Sequence, residues 1–181
     1  TTTENGKTGC DQCAPGKYTP TSGIAGCYEC SAGKYAAKSA MSQCDTCQAG
    51  QYSKAGVAEC STCEAGTWSG TSSFTCTPCV AGKIAAASGS SVCTACGVGT
   101  YMPNKGGKEC MSCPAGQYTN TMGQSKCVSC AAGTYGGALG MSQCPQCAAG
   151  KYTPVAGLTV CNACPLGSIS ISGSTVCKQC P

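Results

Sequence analysis

Twenty-two cysteines, arranged as eleven CxxC pairs, constrain this chain more than any other feature. Successive pairs begin 17 residues apart seven times and 16 residues apart three times. Self-similarity at a short, fixed period indicates a tandem array of small modules. Residues 1–9 form a partial repeat, residues 177–181 begin a further repeat, and repeats 1 to 10 cover 10–26, 27–43, 44–59, 60–75, 76–92, 93–109, 110–126, 127–143, 144–160 and 161–176.

The apolar content is too small to hold such a chain together by burial. Leu, Ile, Val and Phe together number 16 of 181 residues. That share is far below the roughly 20% under which sequences tend to remain disordered. The cysteine share exceeds the roughly 8–10% that marks a disulfide scaffold. Disulfides or metal must therefore supply the missing stability.

Each repeat also contains a fixed glycine and a fixed large side chain. A glycine lies three residues after the second cysteine of every complete repeat, and a Tyr, Trp or Ile follows two residues later, as in Gly116 and Tyr118. "CPAG" (113–116) fits a type I turn, whereas "CAPG" (13–16) fits it less well because of its proline. Short extended runs on both sides of a polar tip predict one β-hairpin per repeat. We therefore expect a small, disulfide-rich, mostly β or irregular fold, an elongated tandem array of stapled hairpins without a central core.

Two alternatives to structural disulfides have to be weighed. The CxxC-x13-CxxC spacing is close to that of four-cysteine zinc sites. Against zinc, eleven pairs cannot be shared two by two, no histidine is present, and the spacing does not alternate. A redox CxxC normally belongs to one thioredoxin-like βαβ scaffold, and eleven equivalent pairs do not resemble a single active site. We expect no metal and no other cofactor.

The structural interpretation links the second cysteine of one pair to the first cysteine of the next. Each bond then closes a loop around one hairpin, which in the chain-entropy model contributes about 3 kcal/mol. This pairing leaves Cys10 and Cys180 without a partner in the chain, and we expect them to pair with cysteines outside this segment. The predicted bonds are Cys13–Cys27, Cys30–Cys44, Cys47–Cys60, Cys63–Cys76, Cys79–Cys93, Cys96–Cys110, Cys113–Cys127, Cys130–Cys144, Cys147–Cys161 and Cys164–Cys177.

The repeats resemble a known family. "CPAGQYTNTMGQSKCVSC" (113–130) and "CAPGKYTPTSGIAGCYEC" (13–30) look like ephrin-receptor-like cysteine-rich repeats. The hairpin is also similar to the smallest disulfide module of TNF-receptor ectodomains, and long uninterrupted runs resemble surface proteins of protists. The resemblance implies a secreted or cell-surface protein without catalytic activity, and it carries over no ligand-binding residue.

Two surface features allow both a structural and a functional interpretation. The column from Tyr18 to Ile169 either packs on neighbouring hairpins and disulfides or contacts other rods or sugars. Hydroxyl residues near the tips either favour turns and strands or carry O-linked glycans. Such glycans would make the chain a glycoprotein. The candidate glycan positions are Thr19, Thr21, Ser22, Thr71, Ser72, Thr119, Thr121 and Thr153.

Charge and hydropathy exclude several partner classes. The net charge of +4 comes from eleven scattered lysines, with no arginine and no clustered basic stripe, so we expect no nucleic acid as partner. No apolar run is long enough to span a membrane. We expect no enzyme but a structural extracellular protein at a cell surface, a rigid rod or the subunit of a fibril or filament that self-associates or continues in a longer array. The alternative is the ectodomain stalk of an adhesion or signalling receptor that binds a protein partner.

Overall fold

A computed structural model describes residues 12–20 and 26–181 of the chain. It forms two compact units: Thr1–Thr77 with Ala87–Val92, and Pro78–Ala86 with Cys93–Pro181. The described residues form strands, turns and bends but no helix, and therefore no helix that could cross a bilayer. The predicted class, a disulfide-rich and mostly β or irregular array without a central core, is confirmed.

The strands are all two residues long and pair in chain order into two-stranded hairpins. In each hairpin the first strand ends on the large side chain of the repeat, and the second strand is the residue pair between the cysteines of the next CxxC. The strands in the described residues are β1 Lys17–Tyr18, β2 Tyr28–Glu29, β3 Lys34–Tyr35, β4 Asp45–Thr46, β5 Gln51–Tyr52, β6 Ser61–Thr62, β7 Thr67–Trp68, β8 Thr77–Pro78, β9 Lys83–Ile84, β10 Thr94–Ala95, β11 Thr100–Tyr101, β12 Met111–Ser112, β13 Gln117–Tyr118, β14 Val128–Ser129, β15 Lys151–Tyr152, β16 Asn162–Ala163, β17 Ser168–Ile169 and β18 Lys178–Gln179.

The hairpin of repeat 8 is reduced to one bridge, between Thr134 and Gln146. In that repeat Tyr135 donates its N–H to the carbonyl of Pro145 at 3.0 Å. Proline has no N–H, so the reciprocal bond of this antiparallel pair cannot form. Pro145 thus explains why repeat 8 has no two-residue strands.

The turn that opens each hairpin differs from the predicted type. The N–H of Gln117 donates to the carbonyl of Pro114 at 3.1 Å, and Gly116 has a φ of +83°. The turn therefore covers 114–117, with glycine at its third position, where a type II turn requires positive φ. The type I turn predicted over 113–116 is wrong by one residue. The shift also places Pro15 at the second position of its own turn, where proline is favoured.

Candidate functional site: the junction between repeats

The ten disulfides of the structure join the pairs that the ladder interpretation predicts. In nine of the ten bonds the cysteine that opens the hairpin is buried and its partner is not, and from Cys30 to Cys147 the buried cysteine is 0% exposed. Twenty cysteines are thereby engaged, and the described residues contain no cluster of three or more potential metal ligands. Cys180 is an exposed free cysteine, and Cys10 lies outside the described residues.

Three backbone hydrogen bonds recur at junctions between neighbouring repeats. Between repeats 7 and 8, Gly116 donates to the carbonyl of Gly136 at 2.8 Å and Thr119 donates to that of Met141 at 3.2 Å. In the opposite direction, Gly140 donates to the carbonyl of Cys113 at 2.8 Å. The same three bonds recur at the three junctions within the first compact unit and the five within the second.

We call the glycines three residues after the second cysteine the inner glycines, and those at the hairpin tips the tip glycines. Both kinds have left-handed φ values, between 70° and 90°. Seven inner glycines also touch the tip carbonyl two repeats further along the chain: Gly16, Gly33, Gly50, Gly82, Gly99, Gly116 and Gly133. A Cβ on Gly116 would overlap the carbonyl oxygen of Gly157, and one on Gly33 would overlap that of Ser72. Each of these seven repeats therefore packs on the next two repeats.

The side chains that follow the large-residue column form the buried part of each junction. The residues at this position, of which Gly136 alone has no side chain, are Thr19, Ala36, Ser53, Ser69, Ala85, Met102, Thr119, Gly136, Thr153 and Ser170. Those from Ala36 to Thr153 are buried, most are small, and several carry a hydroxyl. A small residue fits because the junction brings two backbones together.

The hydroxyls in this column complete the hydrogen bonding of the junction. Thr153 accepts from the N–H of Gly133 at 2.7 Å and donates to the carbonyl of Thr134 at 3.2 Å. Ser53 donates to the carbonyl of Lys34 at 2.9 Å. Buried polar groups need such partners, because an unsatisfied one costs about 1 to 3 kcal/mol. Nothing in the sequence pattern distinguished these hydroxyls from surface ones, and sequence analysis missed their role.

This arrangement corrects two of the candidate glycan positions. Thr119 and Thr153 are 2% and 0% exposed, so neither hydroxyl can carry a sugar while the junction is closed. Thr71, Ser72 and Thr121 are exposed, and Thr121 accepts from the side-chain amide of Gln124 at 2.9 Å.

The three remaining candidate glycan positions are not exposed hydroxyls of the described residues. Thr19 is half-buried, and its side chain or backbone already has a partner in the structure. Thr21 and Ser22 lie outside the described residues.

The large-residue column is only half-buried over most of its length. Paired members of the column lie opposite the residue that follows the first cysteine of the next CxxC, as Tyr118 lies opposite Val128. Tyr18 and Tyr28 face each other with ring centroids 6.0 Å apart. On the other face of that hairpin, Lys17 and Glu29 form an exposed ion pair at 3.7 Å, which contributes little to stability.

Comparison with known families agrees with this geometry. The family model described as tyrosine-protein kinase ephrin type A/B receptor-like matches three overlapping segments, 82–123, 99–143 and 116–157. No curated protein matches the chain. The predicted resemblance is confirmed over these residues. Together with the many disulfides, it points to an extracellular or secreted location, because such bonds persist in oxidising compartments.

Proposed function

We propose that this chain is a structural protein at a cell surface, a rigid rod or the subunit of a fibril, and that it has no enzymatic activity. One observation carries the proposal: the same three backbone bonds and the same contact two repeats along recur at the junctions inside each compact unit. Repeats that share one junction geometry within a unit are structurally equivalent, and an active site would normally set one repeat apart. The complete lack of histidine and arginine supports the same conclusion.

The disulfides would make such a protein resistant to stretching and unfolding. Each bond spans 13 or 14 positions and closes one hairpin on itself. In the chain-entropy model a loop of this size contributes about 3 kcal/mol, which is large against the apolar surface that one repeat can bury. Tension along the chain would then load the junctions and the short CxxC links, while the hairpins stay closed.

Self-association and O-linked glycans are part of the proposal. The exposed hydroxyls at the tips, Thr71, Ser72 and Thr121, are the candidates that remain available for sugar. A hydrated coat on a structural array would limit proteolysis and unwanted contacts. Intact mass above 17.8 kDa for native material of this sequence, with sugar mapped to tip hydroxyls, would support this part.

Small-angle X-ray scattering tests the rod. Ten hairpins that each advance about 10 Å give a radius of gyration on the order of 30 Å. A globule of this length would have about 16 Å, and an unfolded chain about 45 Å. The reduced and alkylated protein is the matched control and should approach the unfolded value. A native value near 16 Å contradicts the rod.

The second candidate function is the ectodomain stalk of an adhesion or signalling receptor that binds a protein partner. The match to ephrin-receptor-like repeats favours it. Electron microscopy of native material separates the two functions. Filaments with a periodic repeat would support the structural protein, and single particles attached to a second protein would support the receptor.

A further inference from the structure

Three consecutive repeats carry a tyrosine opposite an apolar side chain on one face of the hairpin. The register pairs the large-residue column with the residue that follows the first cysteine of the next CxxC. Directly opposite residues of antiparallel strands project from the same face. In repeats 6, 7 and 8 we call them the apolar pairs: Tyr101 with Met111, Tyr118 with Val128, and Tyr135 with Pro145.

The apolar pairs are accessible and uncharged. Met111 and Val128 are 48% and 53% exposed, Pro145 is exposed, and the three tyrosines are half-buried. None of the strand and bridge residues of repeats 6 to 8 is charged. The cores of protein interfaces are enriched in tyrosine and methionine and depleted of charged residues. The composition of these hairpins is therefore that of an interface core.

The junctions hold the three apolar pairs in a fixed series. Repeats 6 and 7 are joined by the same three backbone bonds as repeats 7 and 8, and Gly99 of repeat 6 touches the tip carbonyl of Gly140 in repeat 8. Met141 of repeat 8 lies beside Tyr118 in a parallel bridge, so the apolar surface of repeat 7 reaches into repeat 8. All of these residues belong to the second compact unit. We call the three apolar pairs and Met141 the apolar face.

The fold does not require apolar residues opposite the large-residue column. Tyr52 of repeat 3 lies opposite Ser61, and Tyr152 of repeat 9 lies opposite Asn162. Repeat 2 places Asp45 opposite its tyrosine, which isolates the aromatic pair of repeat 1. The apolar face is therefore a property of repeats 6 to 8 and not a consequence of the hairpin.

Two charged residues flank the apolar face at equivalent positions. Glu109 stands directly before the first cysteine of the CxxC that pairs with repeat 6, and Lys126 does so for repeat 7. Both side chains are exposed. A two-fold rotation that sets repeat 6 of one copy against repeat 7 of another brings each carboxylate towards an ammonium group. The surroundings of the apolar face are thus self-complementary in charge.

We propose that the apolar face of repeats 6 to 8 binds the same face of a second copy of this chain, in antiparallel orientation. A second copy presents its apolar pairs at the same spacing, so consecutive pairs meet consecutive pairs. The net charge of +4 keeps copies apart elsewhere, whereas the strands of this face place no lysine against a lysine. The inference rests on the structural function proposed above and names the surface of its self-association.

Sedimentation velocity over a concentration series tests the proposal on the intact, disulfide-bonded chain. Free thiols are capped with N-ethylmaleimide so that no covalent dimer forms. The chain should form a dimer, and M111S with V128S should weaken it at least about tenfold, because a two-fold contact loses each apolar side chain twice. The matched variant, V80S with V155S, removes side chains that are 55% and 56% exposed outside the apolar face, and its dimer should be unchanged.

Charge exchange tests the antiparallel orientation. E109K and K126E each set like charges against each other across the two-fold contact and should weaken the dimer about threefold or more. The double variant restores opposite charges and should recover most of the loss. An equimolar mixture of the two single variants should also associate, because each copy then supplies the charge that the other lacks.

Sedimentation as a monomer at every concentration would overturn the proposal and leave another class of partner for the apolar face. Equal weakening by the two serine variants would overturn it as well, and so would a double charge variant that recovers nothing. Scattering extrapolated to zero concentration reports the shape of the single chain. A rod-like monomer would therefore refute this inference and leave the structural function intact.

Discussion

The inner glycines and the tip glycines look alike in the sequence and in backbone conformation, but they differ in what surrounds them. A Cβ on an inner glycine such as Gly82 would overlap backbone atoms of the repeat two positions along. A Cβ on the tip glycine Gly106 would meet nothing within 4 Å. Two tips already hold other residues, since Ala40 and Ser72 adopt φ values of 62° and 57°. Recurring glycine thus reflects packing at the inner position and backbone conformation alone at the open tips.

The largest effect is expected for G116A. Alanine would have to adopt a left-handed φ, which costs about 1–2 kcal/mol, and its Cβ would push against the backbone of Gly157, which costs about 1–3 kcal/mol more. Together these predict a loss of about 3 kcal/mol in the free energy of local opening. Hydrogen exchange of the Cys130 amide, which donates to the carbonyl of Gly116 at 2.8 Å, measures it. A loss under about 1 kcal/mol would refute the contact between Gly116 and the backbone of Gly157 in the repeat two further along the chain.

The substitution T153A should have the next largest effect. It removes one of two acceptors of the Gly133 N–H, which keeps the backbone carbonyl of Thr153 at 3.0 Å, and it leaves the buried carbonyl of Thr134 without its hydroxyl donor. We expect a loss of about 1–3 kcal/mol, read from exchange of the Gly133 amide. T153S is the control and should recover most of the loss because it keeps the hydroxyl. Equal effects of both substitutions would mean that the methyl group, and not the hydrogen bonds, matters.

At the tips, G106A should cost only about 1 kcal/mol. Its added methyl group has open space, so the positive φ of 76° is the whole penalty. Exchange of the residue 106 amide, which donates to the carbonyl of Cys79 at 2.8 Å in the native chain, reports the change. If G106A proves as damaging as G116A, the distinction between the two glycine positions is wrong.

The smallest effect, and the only stabilising one, is expected for A40G. Glycine relieves the left-handed strain of about 1–2 kcal/mol. Its greater conformational freedom in the unfolded chain offsets about 0.4–1 kcal/mol of this gain in stability. A net gain of a few tenths to about 1 kcal/mol should appear as slower exchange of the residue 40 amide, which donates to the carbonyl of Cys13 in the native chain. Faster exchange would show that the alanine methyl group makes a useful contact.

The sequence predicted the features that covalent spacing determines. The period of the cysteines and the closure of loops lead directly to one hairpin per repeat and to the bond between Cys113 and Cys127. The junction could not be predicted in the same way, because backbone groups form it and side-chain identity hardly affects them. Thr119 and Thr153 were predicted as candidate glycan positions because hydroxyl residues near hairpin tips are typical of exposed turns.

The turn type follows from local backbone geometry, which the residue pattern leaves open. The turn over 114–117 depends on the φ of Gly116, and a pattern of Pro, Ala and Gly is compatible with two turn types.

Disulfide mapping of the native, non-reduced protein tests the central claim most directly, namely that each hairpin is closed by its own bond and that CxxC pairs link neighbouring hairpins. Proteolysis under conditions that prevent thiol exchange should release a cross-linked product that joins the peptide of Cys113 to the peptide of Cys127. The same pattern should repeat along the array. A bond between Cys110 and Cys113 within one CxxC, or zinc bound in fixed proportion to unoxidised cysteines, would contradict the account.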